Sequence, residues 1–153
     1  MKQQHIPTME KHGTPFDTIL SDWKNITFGN STYVAINSNQ DAIAYSDDDG
    51  LTWNIIMPSL LQVGEYWSSI IYANDMFIMI SQGETGAYSL DGITWTAFTL
   101  PYNQDWSNIT YGQEKFIAIS SDNTDQAAQS IDGIAWTSYI LPSVDNWISI
   151  VSN

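Results

Sequence analysis

Residues Tyr45 to Pro58 read YSDDDGLTWNIIMP. Three consecutive acids stand before a Gly and a Trp, which by itself fits either a calcium loop or a catalytic acid cluster. Two further copies decide the matter. They read SLDGITW from Ser89 to Trp95 and SIDGIAW from Ser130 to Trp136, beside SDDDGLTW from Ser46 to Trp53. The three Trp residues, Trp53, Trp95 and Trp136, are 42 and 41 residues apart. A motif that returns at a fixed period belongs to a repeat architecture before it belongs to a site.

A second series confirms the period. WKNITFGNSTYVAINS, WSSIIYANDMFIMIS and WSNITYGQEKFIAISS begin at Trp23, Trp67 and Trp106, and a fourth start, WISIVSN, begins at Trp147. Each unit predicts four short strands. The first is typified by Trp106 to Gly112 and the second by Phe116 to Ser120. The third is short, as at Ala44 to Ser46 and Ala87 to Ser89. The fourth, Thr94 to Pro101, ends at a Pro that cannot continue a ladder. Turn residues mark the joints at Gly29-Asn30, Asn74-Asp75, Asp91-Gly92 and Asp132-Gly133. No stretch sustains a 3.6-residue period, so almost no helix is expected. The second strands are apolar on both faces. Val34 and Ile36 align with Ile78 and Ile80 and with Ile117 and Ile119, and the residues between are also apolar. Strands buried on both sides at this period predict an all-β chain, a β-propeller-type array of three four-stranded blades. The expected blades are 23–58, 67–101 and 106–142, with strands 16–20 and 147–153 as parts of one further blade within a repeat domain 14–153.

The three boxes resemble the Asp-box, or BNR, repeat family, whose pattern is S-x-D-x-G-x-T-W. Ser46, Asp48, Gly50, Thr52 and Trp53 match at every defined position. The other two copies drop one residue before the Gly, and Ala135 stands where Thr is expected. The resemblance covers about 22–153. It implies that the box is the turn between the third and fourth strands of a blade, with Ser46, Asp48, Gly50 and Trp53, Ser89, Asp91, Gly92 and Trp95, and Ser130, Asp132, Gly133 and Trp136 as structural turn residues. A short Asp side chain accepting backbone N–H bonds closes such a turn, and Gly supplies positive φ. Asp47 and Asp49 then read as solvated neighbours. The EF-hand spacing fails, since no Glu stands at the twelfth loop position.

Composition narrows the function. Of 153 residues, four are Lys, none is Arg, 17 are acidic and none is Cys, for a net charge of -13. A basic face for phosphates cannot be built, so neither nucleic acid nor an anionic membrane is expected as a partner. Disulfides and thiolate metal sites are excluded. No apolar run approaches a membrane span, and the start MKQQHIPTMEKHG lacks the apolar core of a signal peptide. The Asp-box occurs in sialidases, but these hold their substrate carboxylate with arginines, and this chain has none. The only histidines, His5 and His12, lie in the N-terminal arm, residues 1–13. No P-loop, nucleophile elbow or metal motif is present. No enzyme activity, cofactor or metal is expected.

An array of three blades leaves two apolar faces to cover. A face of roughly 500 Å² left wet forfeits on the order of 12 kcal/mol. Closure through the chain ends, self-association and docking on a different protein each remove that penalty. Two functional readings follow. The first is a non-catalytic structural or recognition module of the kind that the resemblance implies for bacteriophage tail, fibre and other virion proteins and bacterial surface proteins, in a virion or the cytoplasm. The second is a lectin-like sugar binder. Its candidate ligand-binding residues are Trp23, Trp67, Trp106 and Trp147 at the starts of the first strands, and Tyr66, Tyr102 and Tyr139 outside the core register. Packing competes with ligand binding for every one of these Trp residues.

Overall fold

The computed structural model describes residues 22–38, 42–57 and 66–150. The expected arm at 1–13, the strand at 16–20, both histidines and residues 151–153 lie outside them. The described chain is all β. Ten strands follow in order: β1 (Trp23–Gly29), β2 (Thr32–Asn37), β3 (Ile43–Ser46), β4 (Asn54–Ile56), β5 (Trp67–Ala73), β6 (Met76–Ser89), β7 (Thr96–Gly112), β8 (Lys115–Ser120), β9 (Thr124–Ser130) and β10 (Thr137–Asp145). The first four make an antiparallel meander of their own, β1-β2-β3-β4. This is the first blade.

The second and third blades are joined more closely than the sequence suggests. They share one six-stranded sheet, β10-β9-β8-β7-β6-β5. β6 carries the second and third strands of its blade as one 14-residue element, bent at Gly83, whose φ is 153°. β7 carries the last strand of the second blade and the first strand of the third. Pro101 was expected to stop it. It does not, because the β6–β7 ladder pairs Thr85 with Thr99 and Gly83 with Gln104 and skips the residues between. Pro101 sits in that interruption, where no backbone N–H is required.

Each first hairpin turns on two consecutive residues of positive φ: Asn30 and Ser31, Asn74 and Asp75, and Gln113 and Glu114. This is the twist-matched two-residue turn of a β-hairpin. Behind each turn an aromatic pair packs in the same way. Phe28 lies 4.5 Å from Tyr33, Tyr72 4.7 Å from Phe77, and Tyr111 4.6 Å from Phe116, between ring centroids.

The core lies between blades. Val34, Ile36 and Ile43 of the first blade pack on Trp67, Ile70, Phe77, Met79 and Trp95 of the second. Ile78, Ile80, Phe98 and Leu100 then pack on Trp106, Ile109, Phe116 and Ala118 of the third. The outer layer of this second joint stacks Phe98 on Trp136 at 5.8 Å and 15°. Both faces of β6 are apolar because the middle blade buries one face in each joint.

The three Ser–Asp–Gly–Trp turns are near copies. In the second blade Ser89 Oγ donates to Asp91 Oδ1 (2.8 Å), and the Gly92 N–H donates to Ser89 Oγ (2.8 Å). The amides of Ile93 and Thr94 donate to Asp91 Oδ1, and Trp95 Nε1 donates to the Gly92 carbonyl (3.2 Å). The third blade repeats this set through Ser130, Asp132, Gly133 and Trp136. In the first, Asp48 takes the central place and accepts from the Thr52 amide and hydroxyl. Asp49 is the inserted residue. It adopts φ 60° just before Gly50 at φ 81°, a conformation that Asp tolerates better than most side chains.

Candidate functional site

The first strands begin together around the propeller axis. Their openings surround a cavity of about 530 Å³, lined by Lys24 and Asn25 of β1, Trp67 and Ser68 of β5, Ser107 and Asn108 of β7, and Ile148 beyond β10. Ser38, Tyr66, Gln82 and Ser121 complete the rim. Each ladder has a register irregularity just after its leading Trp, at Trp23/Asn25, Trp67/Ser69 and Trp106/Asn108, and there consecutive residues reach the cavity.

The backbone around this mouth is tied in one recurring manner. The amides of Ser38, Gln82 and Ser121 donate to the carbonyls of Asp22, Tyr66 and Asp105, each just before a leading Trp. The residues from Asn146 to Ile150 form no strand. Trp147 is nevertheless held at the same level, its amide donating to the Ser120 carbonyl (3.1 Å) and its carbonyl accepting from Ser107 Oγ (2.5 Å).

The mouth is a hydrogen-bonding surface. Among the described residues, serine, asparagine and glutamine side chains dominate its lining, Lys24 supplies a cation, and no carboxylate lines it. In a chain of net charge -13 this is a local exception. Near the rim Asp105 and Asp122 form an acid pair. Desolvation first, then the hydrogen bond and charge of Asp122, hold the Asp105 carboxyl above the usual carboxylate range. Among the described residues no group of three or more His, Cys, Asp or Glu side chains is placed to hold a metal ion.

The aromatic candidates separate by burial. Trp67 and Trp106 are 1% and 0% exposed and belong to the two joints, so neither offers a ring face to a ligand. Trp23 lines a different groove, on the outer face of the first blade. Trp147 is half-buried beside Ser107. Tyr66 is the exposed aromatic at the mouth. Tyr102 donates to Ser138 Oγ on the blade periphery, and Tyr139 is half-buried, its phenol pushed up by burial. The expectation that the leading Trp residues could act as a set of sugar platforms is therefore corrected for Trp67 and Trp106. The mouth residues Lys24, Asn25, Gln82, Asn108 and Ser121 were not singled out from the sequence.

The family model for the DUF6242 beta propeller domain matches residues 9–149. The chain belongs to that family. No curated protein matches the sequence. Solved structures similar in fold to this DUF6242 domain include YCF48 bound to D1 peptide, at 14% identity and TM-score 0.66, covering 82% of this chain and 41% of that one. YCF48 from Cyanidioschyzon merolae matches at 14% identity and TM-score 0.55, over 78% of this chain and 43% of that one. A chain of the nidogen/laminin complex matches at 12% identity and TM-score 0.66, over 89% and 54%. This DUF6242 domain thus spans about two fifths to one half of the propellers it resembles.

Proposed function

We propose that the chain is a non-catalytic recognition module that grips a segment of a partner protein at the axial mouth. The observation that carries this reading is the mouth itself. It is a cavity of about 530 Å³ whose Ser, Asn and Gln side chains can match the N–H and C=O groups of an extended peptide, beside one lysine. Solved propellers of similar fold include YCF48 with a D1 peptide and the nidogen/laminin complex, which supports a protein partner. Within this reading the Asp-box character of the repeats favours an accessory virion or surface protein, in a virion or the cytoplasm. The absence of arginine argues against sialidase chemistry.

A carbohydrate ligand is the second reading, and Tyr66 favours it, since this exposed ring sits at the mouth beside polar side chains. One experiment separates the two. The purified chain is screened in parallel on a random peptide array and a glycan array. The protein reading expects saturable peptide binding, weakened about tenfold by Asn108→Ala or Gln82→Ala, an amount matching one lost hydrogen bond to a desolvated partner. Saturable glycan binding lost in Tyr66→Ala, with no peptide hit, would replace it with the lectin. Peptide binding indifferent to the mouth variants would move the site elsewhere.

A further inference from the structure

The axial mouth does not end at β1. Lys24 and Asn25, which line it, also border a second cavity of about 580 Å³ on the outer face of the first blade. Trp23, Ile26, Ala35, Ala44 and Trp53 complete the second lining and make it apolar. The two cavities meet along one short stretch of β1, polar on the axial side and apolar on the outer side.

β1 sets the spacing between them. Its burial alternates: Trp23, Asn25 and Thr27 are half-buried, while Lys24, Ile26 and Phe28 are exposed. Residues two apart on a strand face the same way and stand about 6.6 Å apart. An extended ligand segment beside β1 has the same repeat. A residue set against Lys24 therefore brings another, two positions away, to Ile26.

Charge describes what meets Lys24. Among the described residues the only cationic side chains are Lys24 and Lys115. Lys115 shares its cavity with Glu114 and Asp132. No carboxylate among the described residues lines either cavity at Lys24. The mouth adds neutral donors, the amide groups of Asn25, Gln82 and Asn108 and several serine hydroxyls. Trp67, in the same lining, has an indole N–H with no acceptor, whereas the matching N–H of Trp106 donates to the Tyr102 carbonyl (3.1 Å). Surplus donors around an unmatched cation favour a carboxylate, which only accepts. The net charge of -13 opposes an acidic ligand at long range. Charges beyond about 8 Å are screened at physiological ionic strength, and direct contact with Lys24 lies well inside that distance.

We infer that the segment gripped at the mouth carries an Asp or Glu that pairs with Lys24, and a bulky apolar side chain two residues away that packs into the groove at Ile26. The inference rests on the mouth being a peptide site. The carboxylate belongs to a side chain rather than to a chain end, because the lining continues on both sides of Lys24 and the segment passes it.

The probe is a synthetic decapeptide, acetylated and amidated so that neither end is charged. It has a central Glu, Phe two positions to either side, and Gly or Ser elsewhere. Titration calorimetry on the full chain at 0.15 M salt compares it with the same peptide carrying Gln for Glu, or Ser for both Phe. The Glu peptide should bind about fivefold tighter than the Gln peptide, between the effect of an exposed ion pair and that of a desolvated one. Lys24→Glu should reverse that preference. Ile26→Ser should remove the preference for Phe and keep the preference for Glu. Lys24 and Ile26 are exposed, so the fold does not depend on either side chain. Equal affinity for the Glu and Gln peptides, with binding still weakened by Gln82→Ala, overturns the inference and leaves the mouth a peptide site. A preference for Glu that survives Lys24→Glu overturns it too, since another group then holds the carboxylate. A Gln peptide with a free C-terminus that binds as well as the Glu peptide would assign the carboxylate to a chain end. Failure of these probes, where peptides from the random array bind at the mouth, overturns the inference alone. Failure of every peptide overturns the peptide reading with it.

Discussion

A glycine in the Ser–Asp–Gly–Trp turn does two jobs, and the three copies separate them. Gly133 has φ 76°, and an added Cβ would press on Ile78, approach Met76 Sδ at 2.9 Å and Phe116 Cε2 at 3.2 Å. Gly50 has φ 81° but open space. Gly50→Ala therefore incurs only the left-handed backbone penalty, about 1–2 kcal/mol. Gly133→Ala incurs that penalty plus about 1–3 kcal/mol of overpacking. Chemical denaturation of the two variants should show the larger loss for Gly133→Ala; equal losses would mean that the joint relaxes around the new methyl. The acids of these turns set the response to pH. Hydrogen bonds from the Thr52 hydroxyl and amide hold Asp48 below the usual carboxylate range, and the Ala135 and Ile134 amides do the same for Asp132. For Asp91 burial pushes upward, but the Thr94 and Ile93 amides and the Ser89 hydroxyl outweigh it. Their stabilisation is present above about pH 3.8 and is lost as pH falls through the lowered native values. Asp105 has the opposite sign. Its raised value makes the charged pair with Asp122 a penalty in full above the native value, relieved as pH falls toward the ordinary one. Asp105→Asn should accordingly raise the melting temperature at pH 7 and leave it little changed near pH 3. A lower midpoint at pH 7 would show that the pair stabilises the native state.

At the scale of elements, the sequence was most legible where structure is local. Each box turn is held by bonds spanning two to four residues, so Ser46, Asp91 or Gly133 could be placed without knowing what surrounds them. Elements that depend on their neighbours were not legible. Pro101 reads as a break, yet β7 passes through it, because the β6–β7 ladder is interrupted between the Thr85–Thr99 and Gly83–Gln104 pairs. The leading Trp residues carry no mark that distinguishes a joint from a rim. Only the neighbouring blades decide that Trp67 and Trp106 are buried. The strands of the third hairpin were legible, but its turn carries no compositional mark, since Gln113 and Glu114 are poor residues for φ of 50° and 60°. Their strain gives an expected gain. Replacing the pair by Asn-Gly, as Gln113→Asn with Glu114→Gly, supplies the residues that this turn favours. It should stabilise the chain by about 0.5–1 kcal/mol in a denaturation experiment. A loss would locate a stabilising contact of Gln113 or Glu114 beyond the turn.

At the scale of the whole molecule, the two joints differ in kind. The second and third blades are one hydrogen-bonded sheet, since β7 belongs to both and the β6–β7 ladder continues into Gln82 and Asp105. The first blade has its own sheet and meets the second by side-chain packing and a few cross-joint bonds. The Tyr72 amide donates to Thr27 Oγ1 (3.1 Å), and Asn30 Nδ2 donates to the Leu90 carbonyl (3.2 Å). Its other face, at Ile26 and Phe28, is exposed. A unit with one covered face opens at a lower free energy than one covered on both, because opening forfeits less buried apolar surface. Amide hydrogen exchange should therefore be faster across β1 to β4 than across β6 to β8, with β2 deviating most from its aligned partners β6 and β8 despite the same apolar sequence. Uniform protection across all three blades would mean that the propeller opens as one unit, and that the first joint is as strong as the shared sheet.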